Sequence, residues 1–297
     1  VDPKGLPHVG PVRMSLPRFE QVGDLWRLTK GLPMAEETLL DTTGSMGNNV
    51  ELAFHSLPKD YAMLTEGDNP ILGRYDVQIA TAIFNDVADR PATAVLARSQ
   101  FEMAEKIAEQ MAMLPPGKNG CGNHKEDPQF GLFGAAYLTK ATINRWGLKY
   151  YYFTVSDEPV DENIELAWLK KLFGDDVLDQ VKANGHDLSE KLPNVAMTVR
   201  DLQKNAHAFF LQVGDRADVR EQWTRLYGDE HYVALPGGTT EELHFVKAAI
   251  IGLTEGVLDL GTVKDFLVSH GLRKTEANQL VRAVAHIPLG AQMQAKN

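Results

Sequence analysis

Asp41, Thr43 and Ser45 stand at alternate positions in Leu40-Asp41-Thr42-Thr43-Gly44-Ser45-Met46-Gly47, within a chain of 297 residues. Alternate residues of an extended segment point the same way, so one carboxylate and two hydroxyls converge. These are hard oxygen donors, suited to Mg²⁺ or Mn²⁺ rather than to zinc. The short apolar run Thr38-Leu39-Leu40 delivers them, and a helix-like pattern begins near Asn49. That is how a buried parallel strand presents a loop at its carboxyl end. A second such loop, Ser156-Asp157-Glu158-Pro159, follows Tyr150-Tyr151-Tyr152-Phe153-Thr154-Val155, the clearest strand in the chain.

Asp41-x-Thr43-x-Ser45 followed by Met46-Gly47 resembles the Asp-x-Ser/Thr-x-Ser motif of von Willebrand factor type A domains. In that family the motif opens the metal-ion-dependent adhesion site. Ser156-Asp157-Glu158 is similar to the family's Thr-Asp-Gly turn, and Phe84-Asn85-Asp86 to its Phe-Gly-Asp or Phe-Ser-Asp strand ending. The resemblance spans roughly residues 35 to 255 and implies that Asp157 holds metal-bound water. It also implies a ligand from the loop Gly120-Cys121-Gly122-Asn123-His124-Lys125-Glu126-Asp127-Pro128. The family usually places a Thr there, and this loop has none. Glu126 takes that position in the resemblance, with Asp127 next, and the choice between them stays open.

The patterning must position these loops. Residues 1–33 hold Pro3, Pro7, Pro11, Pro17 and Pro33 and read as an extended arm. Strands are expected at 37–40, 77–84, 150–155, 208–214 and 232–235, with a short edge strand near 94–97. Helical spacing is expected over 50–64 with a break near Pro58, over 101–112, 130–143 and 219–227, and after a cap at Thr239 or Thr240. Strands alternating with helices predict an α/β fold, a doubly wound (Rossmann-like), mostly parallel sheet with helices on both faces. Residues 34–255 would form it, with a charged helical insertion at about 161–204. Residues 256–297 would add a helical appendage of two short helices.

The formal net charge of −10 argues against general nucleic-acid binding, which needs a basic face. No apolar run reaches the roughly 18 residues of a membrane span. The single Cys121 excludes an internal disulfide and fits a reducing, cytoplasmic setting, and no signal peptide is visible. His124 and Cys121 alone do not make a zinc site.

The expectation is a non-enzymatic module that binds Mg²⁺ or Mn²⁺ through Asp41, Thr43, Ser45, Asp157 and Glu126 or Asp127. The resemblance implies that a partner protein's carboxylate completes the coordination, and that an ATPase or a larger assembly is the setting. A structural scaffold with a metal-free site is the alternative. A Mg²⁺-dependent phosphohydrolase would need a second Asp where Thr43 stands, and neither a Walker loop nor a Gly-x-Ser-x-Gly elbow occurs.

Overall fold

Aromatic and β-branched runs form the strands of this chain, and amphipathic segments between them form the covering helices. The computed structural model describes residues 18–22, 25–88, 95–117 and 126–294. The chain opens with β1 (Arg18–Val22), β2 (Leu25–Lys30), β3 (Leu32–Asp41), α1 (Asn49–Ser56), α2 (Asp60–Thr65), β4 (Tyr75–Phe84) and β5 (Leu96–Arg98). It continues through α3 (Lys106–Met111), α4 (Gln129–Phe133), β6 (Tyr150–Ser156), α5 (Leu166–Phe173), α6 (Val177–Ala183) and α7 (Val195–Asn205). Then come β7 (Ala206–Gln212), α8 (Ala217–Tyr227), β8 (Tyr232–Ala234), α9 (Leu243–Glu255), α10 (Val263–Ser269), α11 (Lys274–Val284) and α12 (Ala291–Gln294).

Six strands make one sheet in the order β5-β4-β3-β6-β7-β8, all parallel except the antiparallel edge β5. Chain order runs one way from β3 to β4 and the other way from β6 to β7. The loops leaving β3 and β6 therefore emerge side by side, at the switch point where open α/β sheets gather ligands. Leu40 pairs with Val155, which puts Asp41 and Ser156 next to each other at the carboxyl edge.

All ten residues of β3 and all seven of β6 are buried, as expected for strands covered on both faces. The polar members of β3 are accordingly paired. Glu37 accepts from Arg98 at 2.5 Å on one face. On the other, Lys247 of α9 meets Glu36 at 2.9 Å, Asp60 at 2.5 Å and Thr38 Oγ1 at 2.7 Å. Its ammonium also lies 5.3 Å from the centre of the Phe153 ring.

Several elements differ from the sequence expectation. The first strand begins at Leu32 rather than at residue 37, and β1 and β2 form an antiparallel hairpin inside the stretch read as an extended arm. Residues 1–17 of that arm lie outside the described residues. The break at Pro58 is a 3₁₀ turn, Leu57–Lys59, between α1 and α2. The stretch 130–143 is no continuous helix. It is the short α4, a π-helical turn over Gly134–Leu138, and a 3₁₀ turn over Thr142–Trp146. Thr139 Oγ1 takes the Gly134 carbonyl as the helix stops.

Thr240 does not cap α9; its N–H and hydroxyl go to Asn49, tying the loop after β8 to the start of α1. Beyond residue 256 there are three helices rather than two. The last of them inserts Gln292, fully buried, against the amino ends of the central strands. Its amide donates to Lys149 O and Glu255 Oε1 and accepts from Lys149 N–H, while His207 Nε2 lies at 3.1 Å. Among the described residues no helix is long and apolar enough to cross a membrane.

Candidate metal centre

Asp41 ends β3 with no exposed surface, and both of its carboxylate oxygens are engaged. Oδ1 accepts from the Thr43 N–H at 2.9 Å and from Thr43 Oγ1 at 2.7 Å. Oδ2 accepts from Ser156 Oγ at 2.6 Å. Ser45 Oγ donates to Asp157 Oδ1 at 2.9 Å and stands 3.1 Å from Thr43 Oγ1. The two loops thus meet in an unbroken run of oxygens: Ser156, Asp41, Thr43, Ser45, Asp157.

Each hydroxyl has one proton to give. Thr43 Oγ1 is placed to donate to Asp41 and Ser45 Oγ to Asp157, and in the contact between the two hydroxyls either could be the donor. A separation of 3.1 Å is close to the edge of an octahedron with metal–oxygen bonds of about 2.1 Å. The donor set of carboxylates and hydroxyls is what a small hard dication takes, and it contains no nitrogen or sulfur. Among the described residues no group of three or more His, Cys, Asp or Glu side chains is placed to hold a metal, so any site here depends on its hydroxyls.

The electrostatics point the same way. Burial pushes the Asp41 carboxyl up to about 7, opposed by its bond from Ser156 and helped by the charge of Asp157. Burial also raises Asp157, although the Ser45 hydroxyl opposes it. Two carboxylates held in one desolvated cluster each favour a neutralising charge.

Three sets of contacts fix the loops. The first loop is tied to the end of β4, where Thr42 Oγ1 donates to Asn85 Oδ1 at 2.8 Å and accepts from the Gly117 N–H at 3.2 Å. Gly117 has to be glycine, because a Cβ there would overlap Asn85 Oδ1 and come within 3.1 Å of Thr42 O. The loop after β6 is held by α8. Trp223 Nε1 donates to Glu158 O at 3.0 Å, Gln222 exchanges two bonds with the Val160 backbone, and Arg216 pairs with the Glu158 carboxylate. The end of the second loop joins this one, since the Glu126 N–H donates to Pro159 O and Glu126 O accepts from Asp161.

The structure therefore draws Asp41, Thr43, Ser45 and Asp157 together. The backbone of Glu126 bridges to Val160, three residues past Asp157. Asp127 is held by two donors, with Oδ2 accepting from the Val87 N–H and Oδ1 from Gln129. Burial lifts its carboxyl to about 6. Cys121 and His124 lie outside the described residues. Ser156 is the participant that sequence reading did not single out. Its signal is register, since it ends β6 one position after the partner of Leu40.

No protein-family model matches this sequence, and no curated protein matches it. Among solved structures, the proximal thread matrix protein 1 of the mussel byssus is similar, with a TM-score of 0.46 and 12% identity. That match covers 75% of this chain and 46% of that one. The same protein with a zinc-occupied MIDAS motif gives a TM-score of 0.43 at 13% identity, over 76% and 47%. The pilus adhesin SpaC of Lactobacillus rhamnosus GG in its open conformation gives 0.45 at 13%, over 79% and 30%. This chain spans less than half the length of each. The reading of the site rests on its own geometry.

Proposed function

We propose that this protein is a metal-dependent protein-interaction module, similar to von Willebrand factor type A domains. In it Asp41, Thr43, Ser45 and Asp157, with Glu126 from the second loop, hold Mg²⁺ or Mn²⁺. The observation that carries this is the run of hydroxyl and carboxylate oxygens from Ser156 through Asp41, Thr43 and Ser45 to Asp157, which joins the ends of two neighbouring strands. Asp127, whose oxygens accept from the Val87 N–H and from Gln129, is the alternative to Glu126 as the ligand from the second loop.

When bound, such a cation supplies an exchangeable position for an incoming oxygen, and a carboxylate from a partner protein is the group that fits. The chain's residues orient that position and hold it at the surface, where Ser45 is exposed. We propose no catalytic step. Thr43 stands where a phosphohydrolase of similar architecture needs its general acid, and its hydroxyl donates to Asp41.

The test is thermal unfolding of wild type, Asp41→Ala and Asp41→Asn across a titration of Mg²⁺ and of Mn²⁺. A ligand that binds only the folded state adds RT ln(1 + [L]/Kd), about 2.7 kcal/mol at a hundredfold excess over Kd. Wild type is expected to gain on that scale and both variants to gain nothing. Equal behaviour of all three would leave a metal-free scaffold.

A further inference from the structure

A cavity of about 580 Å³ opens beside the oxygen cluster, and Thr43 belongs to both. Away from Thr43 its wall is the face of α1 that carries Val50 and Phe54, and the opposite wall is Pro116-Gly117. Neither wall is free to close. Gly117 is strapped to Thr42, and the start of α1 is tied to Thr240 through Asn49. Glu51 lines the same cavity and is exposed, and its one ion pair, to the equally exposed His55, spans 3.8 Å.

The cavity is continuous from Thr43 to Val50 and Phe54, so its polar and apolar ends can be filled by one segment. In an extended peptide, side chains two positions apart share a face. A peptide whose carboxylate lies at the Thr43 end and which runs along the cavity presents its next side chain on that face to Val50 and Phe54. The charge of Glu51 selects a basic residue on the same segment over an acidic one.

From this we propose that the partner is an extended segment carrying an acidic residue, with a bulky apolar residue two positions away and a flanking lysine or arginine. The cavity beside Thr43 is its specificity pocket. This rests on the metal-dependent reading of the centre.

The test uses labelled peptides of sequence Lys-Phe-Gly-Asp-Gly-Phe-Lys, followed by fluorescence polarisation in Mg²⁺ and in EDTA. Two control peptides replace both phenylalanines with serine, or the aspartate with asparagine. Burial of one aromatic side chain is expected to give wild type at least a tenfold preference for phenylalanine over serine. Phe54→Ser should reduce that preference to below threefold and leave the serine peptide's affinity unchanged, which also reports an intact fold. Glu51→Lys, at an exposed position, should weaken the lysine-bearing peptide at least threefold at low salt.

Metal-dependent binding with phenylalanine and serine peptides equal would overturn the pocket and leave the metal reading standing. A phenylalanine preference that survives EDTA and the asparagine substitution would overturn the metal reading and leave the pocket. Failure of all three peptides to bind would overturn both.

Discussion

Lys247→Met is expected to lower the stability of this protein by about 3–5 kcal/mol, the cost typical of removing one partner from a buried ion pair. Lys247 is 1% exposed in the middle of an otherwise apolar helix, and its ammonium is the only cation in contact with Glu36 and Asp60 among the described residues. Burial alone would drive the amine to lose its proton. The charges of Asp60 and Glu36 outweigh that and hold its pKa above the ordinary lysine value. Methionine fills similar volume, so the loss isolates charge from packing. Urea denaturation of the two proteins reads it directly, and a loss under about 1 kcal/mol would show that water reaches the cluster.

The same cluster gives a pH dependence. Two carboxylates share one ammonium, and burial lifts the Asp60 carboxyl to about 7, against the opposing pull of Lys247. A folded-state pKa above the unfolded value of about 3.9 means that the folded protein prefers the protonated form. That contribution to stability is complete below about pH 4 and is lost as pH rises through 7. Asp60→Asn keeps the hydrogen-bonding shape without the charge. Its stability relative to wild type should rise between about pH 4 and pH 7 and level off above that, and a flat difference would refute the shift.

Trp223→Ala is expected to cost about 3–5 kcal/mol, as for other large aromatic truncations in a core. The ring is fully buried and stacks on Phe210 with centroids 4.1 Å apart. Its indole N–H also holds the Glu158 carbonyl, one residue beyond Asp157. Trp223→Phe keeps an aromatic ring against Phe210 while removing that donor and part of the ring volume, so it should cost less than the alanine variant, about 1–3 kcal/mol. The two variants separate packing from loop support. If the loop matters to the metal centre, Trp223→Phe should show a smaller metal-induced rise in melting temperature than wild type.

Much of the architecture was legible because covered parallel strands leave a strong mark. The run at 150–155 and the alternation of Asp41, Thr43 and Ser45 mark two loops at strand ends in the sequence itself. What could not be read was decided by contacts distant in sequence. Lys247 lies in Leu-His-Phe-Val-Lys-Ala-Ala-Ile-Ile, where a lysine ordinarily marks the solvated side. Only pairing with α2 and β3 explains its burial. Glu126 and Asp127 are adjacent acids that no pattern separates, yet a backbone bridge joins one to Val160 and the Val87 N–H binds the other. The hairpin at 18–30 was hidden by the prolines around it, although none falls inside either strand. Small residues at 130–143 suggested one helix, but Gly134 and Thr139 allow it to widen and stop.

The place of Gln292 bears on how the protein is made. One side chain, five residues short of the last residue of this sequence, satisfies the backbone of Lys149 where β6 begins and meets His207 of β7 and Glu255 at the end of α9. A nascent chain that has emerged only as far as α9 already holds every strand of the sheet. It still leaves these polar groups at the sheet's amino edge without their partner, in a region that burial has otherwise dried. Synthesis from the amino end therefore builds the sheet first and closes it last. The helices after α9 act as a late fastening of the core, set in place only after the strands of the sheet have been made.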